Sequence, residues 1–285
     1  MAQGFSIKMF IPDGNSNGLR IIGKSHWTGQ GVVFNRSIYN DVKKRHEFTR
    51  PGVYVLVGDN EFGMLPKIYI GEAENILLRM QQHYAKKEFW NWCIFFTSSV
   101  DGGLNKVGVK YLESRLIELA IEAKLCLLDN DQNSKIPVLS EADIADAEAF
   151  LVDMLDIYPL VGLEIFRKVQ RPKSKNKLHI SGSKISGTGY ESSDGFIVCK
   201  GTTVNKNNSK SVHNFIIVKR NELIKQKVII DNGDNWIFAQ DYPFSSPSTA
   251  SGVILGRSSN GRTTWKDKDG KTLKEIQEQR AQKKA

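Results

Sequence analysis

Two tyrosines, an arginine, a histidine and a glutamate are spaced along residues 52–113 so that ordinary secondary structure would gather them. Tyr54 lies in the apolar run GVYVLVG and Tyr69 in KIYIG, and in each run apolar residues alternate around the phenol. As strands, Val53, Val55 and Val57 face one side and Tyr54 the other, while Ile68 and Ile70 oppose Tyr69. If the runs pair, both phenols share one sheet face. Arg79 follows on a helical stretch, and His83 sits four residues later on the same helical face. A guanidinium is a fixed, always-charged fork for phosphate oxygens. Phenols, an imidazole and a carboxylate beside it are groups that exchange protons or bind a cation. Singly, each has a structural use: tyrosine suits strands, His83 can be a core residue, and Glu113 can pair with Lys110 on its own helix. It is the spaced set that points to a site.

The flanking sequence supplies elements to hold that set. GVYVLVG and KIYIG are separated by a loop, and a helix is predicted from about Asn75 to Tyr84, with Leu77, Leu78 and Met80 available for packing. NWCIFFTSS reads as a buried third strand. A long helix follows from about Lys106 to Lys124, in which Val109, Leu112, Leu116, Leu119 and Ala123 recur at three- and four-residue intervals and leave Glu113 one step off the stripe. Before this unit, FSIKMFI, LRIIG and VVF predict strands, and Ser37 predicts the cap of a helix reaching about Glu47. After it, EADIADAEAFLVDML predicts an acidic helix. From Lys168 to Ser193 the composition turns to Lys, Ser and Gly, which predicts a flexible basic linker. The last unit predicts strands near FIVCKG, FIIV, KVII and WIFAQ, a helix from the serine-rich SSPSTASGVIL with Pro247 in its first turn, and a frayed polar tail after Leu273. The resulting division is a β-rich extension over 1–47, a compact unit over 48–135, a helical segment over 136–167, the linker over 168–193 and a separate α+β domain over 194–285.

Composition narrows the function classes. At 285 residues and 40% hydrophobic content the chain can build about two globular domains. No apolar run approaches the ~18 residues that span a bilayer, and MAQGFSIKMF has no signal-peptide layout, so no membrane role is expected. Cys93, Cys126 and Cys199 are scattered and odd in number, which argues against disulfides or zinc and for the reducing cytoplasm. The net charge of +9 is unevenly placed: residues 1–170 hold 19 Lys and Arg against 21 Asp and Glu, residues 171–285 hold 21 against 10. A basic half joined to a near-neutral half suggests that one part grips a polyanion on which the other acts.

GVY, a loop, YIG, then Arg79 and Glu113 together resemble the GIY-YIG nuclease family, with Val53 in place of the usual isoleucine; YIGEAENILLRMQQH is similar to that family's second strand and catalytic helix. The resemblance covers about residues 50–130. It implies an α+β fold with a small three-stranded sheet flanked by helices, and metal-dependent endonuclease activity on phosphodiesters, with double-stranded DNA as the expected substrate. Such hydrolysis needs an activated water, charge stabilisation at the phosphate and help for the leaving oxygen. By the resemblance, Tyr54 acts as the general base or relays to it, with a pKa lowered by nearby cations and a metal-bound water. Tyr69 holds the water or the phosphate, His83 assists proton transfer, and Asn130 supports the phosphate or the site. Glu113 would be the single protein ligand of Mg2+ or Mn2+, an ion that keeps most of its waters. Lys67, on the strand face of Tyr69, is placed to lower a tyrosine pKa or meet a phosphate.

The C-terminal run YPFSSPSTASGVILGRSSNGRTTWKDKDGKTL resembles an accessory domain of unassigned function that follows such nucleases. Lys173, Lys175, Lys177, Arg257, Arg262 and Lys266 are the expected phosphate contacts, giving affinity that falls with salt. Trp236, Phe238, Tyr242, Phe244 and Trp265 either stack bases or fill the core of a small domain. Three alternatives stay open: a binding module that keeps the nuclease fold without cutting, a nuclease for RNA or for branched or single-stranded DNA, and an interaction scaffold whose basic half meets an acidic protein partner.

Overall fold

The computed structural model describes residues 4–59, 65–100, 102–130, 137–166, 177–192, 195–210 and 212–282. These fall into two compact units, one ending at residue 166 and one starting at residue 177. Lys173 and Lys175 lie outside the described residues.

The first unit contains β1 (Ile7–Phe10), β2 (Arg20–Lys24), β3 (Gly29–Asn35), α1 (Tyr39–Val42), β4 (Gly52–Gly58), β5 (Lys67–Ala73), α2 (Ile76–Lys86), β6 (Trp92–Ser98), α3 (Lys106–Ala123), β7 (Leu127–Leu128) and α4 (Glu141–Ile157). The three expected strands are present, in the order β6-β4-β5. The sheet does not stop there: its full order is β1-β2-β3-β6-β4-β5-β7, antiparallel except for β5 with β7. The segment read as an N-terminal extension therefore completes the sheet. All seven residues of β3 pair with β6, and Val32, Val33 and Phe34 are fully buried.

The alternation read in β4 sorts the core into two layers. Val53, Val55, Val57, Ile68 and Ile70 pack on one face with Leu112, Leu116 and Leu119 of α3 and with Leu151 and Met154 of α4. Tyr54, Leu56, Phe34, Phe48, Trp90, Phe95 and Met80 pack on the other. With both faces covered, β4 is buried along its whole length. Asn75 caps α2 by accepting the Leu78 N–H at 3.2 Å, and Asn105 caps α3. The far end of α2 is closed by Arg36, which donates to the carbonyls of Tyr84 at 2.8 Å and Lys87 at 2.6 Å. Its guanidinium is held against the rings of Tyr84 and Trp90, 4.8 and 4.7 Å from their centres. Ser37 does not cap a long helix. It lies in a 3-10 turn (Arg36–Ile38) that leads into the one-turn α1, and a second 3-10 turn spans His46–Thr49.

The second unit contains β8 (Leu178–Gly182), β9 (Ile185–Ser192), β10 (Gly195–Val198), β11 (Thr203–Val204), α5 (Asn214–Lys225), β12 (Ile229–Asn232), β13 (Asn235–Phe238), β14 (Tyr242–Phe244), α6 (Pro247–Leu255), α7 (Gly261–Thr264) and α8 (Leu273–Gln282). Its sheets run β14-β10-β9-β8 and β11-β13-β12. Three expectations are corrected. Residues 178–192, read as linker, form the β8–β9 hairpin, because Leu178, Ile180 and Ile185 are buried between exposed Ser, Gly and His positions. FIIV opens α5 instead of a strand: Ile216, Arg220 and Leu223 recur at helical spacing and are buried. The tail after Leu273 is α8, pinned by Gln277 and Arg280 to the Glu191 carboxylate at 2.5 and 2.7 Å. Among the described residues no helix is long and apolar enough to cross a membrane.

Candidate active site

Register decides where the phenols meet. Leu56 pairs with Tyr69 and Tyr54 with Gly71, so the two tyrosines sit diagonally on one face, their rings stacked at 6.2 Å and 29°. Tyr54 Oη lies over Gly71; a Cβ there would stand 2.2 Å from it, so the glycine of YIG makes room for the hydroxyl. The inward face of α2 covers the pair. His83 Nε2 is 2.7 Å from Tyr54 Oη, and its ring lies 5.0 Å from that of Tyr69. Arg79 Nε donates to Tyr54 Oη at 3.2 Å, Nη1 donates to Gln82 at 3.1 Å, and Nη2 reaches Tyr69 Oη at 3.5 Å. Arg79 can only donate, so Tyr54 accepts from it and keeps its own proton available for His83 Nε2. That donation requires the imidazole tautomer with hydrogen on Nδ1.

Burial sets the protonation states. Tyr54 is fully buried, and burial pushes its phenol well above the ordinary value; neighbouring Tyr69 adds to this, and Arg79 only partly offsets it. The nearby cations by themselves therefore do not lower it. The lysine assigned to it, Lys67, is 2.7 Å from Asp129 in an ion pair. Burial also pushes His83 down, to about 4, with help from the Arg79 and Lys87 charges. Near neutral pH phenol and imidazole are therefore both neutral, and the phenol can donate to the imidazole.

Glu113 is half-buried on α3, off the Leu112–Leu116 stripe, and near enough to Tyr54 to raise its pKa further. Among the described residues no three His, Cys, Asp or Glu side chains gather as a metal cage. A single carboxylate suits magnesium or manganese, whose shell takes its remaining oxygens from water and a phosphate. Asn130 lies just past β7, where its Oδ1 accepts the Ile70 N–H at 3.1 Å and its Nδ2 donates to the Ile70 carbonyl at 2.7 Å. That side chain extends the short β5–β7 ladder and fixes the strand that carries Tyr69. The structure thus brings Tyr54, Tyr69, Arg79 and His83 together, puts Glu113 within electrostatic reach, and makes Asn130 a positioning residue.

Two side chains beside the site escaped the sequence reading. Lys87 Nζ sits 4.2 Å above the Tyr69 ring and 2.6 Å from Asp129. The signal was available: Lys87 follows His83 by four residues, as His83 follows Arg79, at the cap that ends α2, and Asp129 adjoins Asn130.

In the second unit, Lys177, Arg257, Arg262 and Lys266 are all exposed. They do not all converge: Lys177 borders a cleft of about 580 Å³ and Arg257 a different one, Lys266 pairs with His179, two residues from Lys177, and Arg262 donates to Gln277 at 2.8 Å. Phe238, Tyr242, Phe244 and Trp265 are core, and Trp236 is half-buried below Arg220. Trp265 donates its indole N–H to the Pro247 carbonyl at 3.1 Å, and Gly261 packs so closely on Pro247 that a Cβ would overlap it. The run from Ser246 to Trp265 is thus a structural clasp.

A family model described as a domain of unknown function (DUF4357) matches residues 178–277, from β8 into α8. No curated protein and no solved structure matches the chain.

Proposed function

We propose that the first unit is a metal-dependent endonuclease that hydrolyses phosphodiester bonds of double-stranded DNA, with the basic second unit holding the substrate. The observation that carries this reading is the 2.7 Å Tyr54–His83 hydrogen bond beside the Arg79 guanidinium. A water at Tyr54 Oη gives that oxygen a proton while the Tyr54 proton passes to His83 Nε2. The phenol stays neutral throughout, the imidazole becomes the cation, and the hydroxide attacks phosphorus. This relay removes the need for a phenolate, which burial of Tyr54 opposes. Arg79 aims its fork at the anionic phosphate oxygens, and Tyr69 orders the water or phosphate on the same face. Glu113 would hold Mg2+ or Mn2+, which supplies charge stabilisation at the phosphate and the leaving oxygen. Lys177, Arg257, Arg262 and Lys266 would add sequence-independent affinity.

The test is incubation of supercoiled plasmid with the protein and magnesium. Nicked or linear product that vanishes with chelator, Arg79→Ala and Glu113→Ala supports the reading. Intact plasmid that is still bound in a salt-dependent way refutes DNA cleavage and leaves the binding module or an RNA or branched substrate.

A further inference from the structure

Beside the Tyr69 ring lies a charged cluster that the relay does not use. Asp129 bridges two ammonium groups, with Oδ1 2.7 Å from Lys67 Nζ and Oδ2 2.6 Å from Lys87 Nζ. The three residues come from β5, from the cap of α2 and from the residue after β7, so the fold itself, and not one flexible segment, assembles the cluster. Aromatic rings guide both lysine stems: Lys67 Nζ lies 4.7 Å and Lys87 Nζ 5.8 Å from the Phe89 ring, and Lys87 also covers Tyr69. The side chains remain open to solvent, 39% exposed for Lys67, 23% for Lys87 and 24% for Asp129.

Two cations sharing one carboxylate leave a net positive charge at a water-accessible rim. A carboxylate with an oxygen on each ammonium occupies the place that two non-bridging oxygens of a phosphodiester would take. Arg79 reaches the hydroxyl of Tyr69 at 3.5 Å while Lys87, in the cap of α2, stands 4.2 Å over the face of the same ring, so the Lys67–Lys87 pair is placed for the phosphate next to the one under Arg79. Resting on the phosphodiester reading above, we infer that Lys67 and Lys87 form a second phosphate subsite of the nucleic-acid strand. Asp129 is its built-in stand-in, which orders both lysines in the free protein and yields to the backbone phosphate on binding.

Equilibrium binding of a short labelled DNA duplex, followed by fluorescence anisotropy across a salt series, tests this in a Glu113→Gln background, which suppresses cleavage. Adding Lys87→Met lowers the salt slope by about 0.9, so this variant loses about threefold less affinity than its parent between about 50 and about 200 mM salt. Adding Lys87→Arg keeps the slope. Adding Asp129→Asn tightens binding, because the competing carboxylate is neutralised while an amide oxygen still meets one lysine. If folded Lys87→Met keeps the parental slope, or if Asp129→Asn binds more weakly, the cluster is a structural staple and the inference falls alone. If the Glu113→Gln parent shows no salt-dependent binding at all, the inference and the nuclease reading fall together.

Discussion

His83 makes the stability of the first unit depend on pH in a window that opens above the carboxylate range. Its pKa is about 4 in the folded protein against 6.5 unfolded, chiefly because it is buried. Above the unfolded value neither state binds the proton, and His83 contributes no pH dependence. As pH falls through 6.5 the unfolded chain takes up a proton that the folded protein refuses, so folded stability declines. The loss is about 2 kcal/mol at pH near 5 and levels off at about 3 kcal/mol once the folded imidazole also protonates. Glu47 and Asp129, whose ion pairs outweigh burial and hold them below the usual carboxylate range, lose their contributions only at lower pH. Replacing His83 by glutamine keeps an acceptor for the Tyr54 hydroxyl and removes the titration. Urea unfolding of both proteins between about pH 8 and about pH 5 should therefore show the wild-type advantage over His83→Gln shrinking by about 2 kcal/mol. Parallel curves would refute the reasoning, because they would mean that the folded protein accepts the proton as readily as the unfolded chain.

Two further outcomes follow from the same geometry. Gly71→Ala puts a Cβ 2.2 Å from Tyr54 Oη, a hydroxyl already fixed by His83 and Arg79. It should cost about 1–3 kcal/mol in thermal or denaturant unfolding and abolish plasmid cleavage in a protein that remains folded; full activity would show that the Tyr54 position is not needed. Asn130→Ala removes both partners of the Ile70 peptide group, with an expected cost of about 1–3 kcal/mol and faster hydrogen exchange at the Ile70 amide; unchanged exchange there would remove Asn130 from its positioning role.

Local pattern made part of this molecule legible. Strict alternation around Tyr54 and Tyr69 set each phenol opposite the Val or Ile face of its own strand, pairing in the observed register then put both on one sheet face, and the three- and four-residue spacing of Leu112, Leu116 and Leu119 defined how α3 packs. Partnership across the chain was not legible in the same way. Val33 pairs with Ile94 across about 60 intervening residues, and no local period encodes that match, so strands of the central sheet read as a separate extension. Composition misled where it was read without alternation, as in the hairpin at 178–192, where serines and glycines mask the buried Leu178, Ile180 and Ile185. The sign of the Tyr54 shift failed for a deeper reason. Counting nearby cations predicts a lowered phenol, but the count omits what lies over the ring. Phe34, Phe95 and Met80 close that face of the sheet, and desolvating a phenolate there outweighs a guanidinium at 3.2 Å. Whether Tyr54 can act as a base is thus set by residues far from it in sequence. A tyrosine that cannot easily ionise can still relay a proton to His83 while a water proton replaces its own, since the charges created are the hydroxide and the imidazolium and neither rests on the buried phenol.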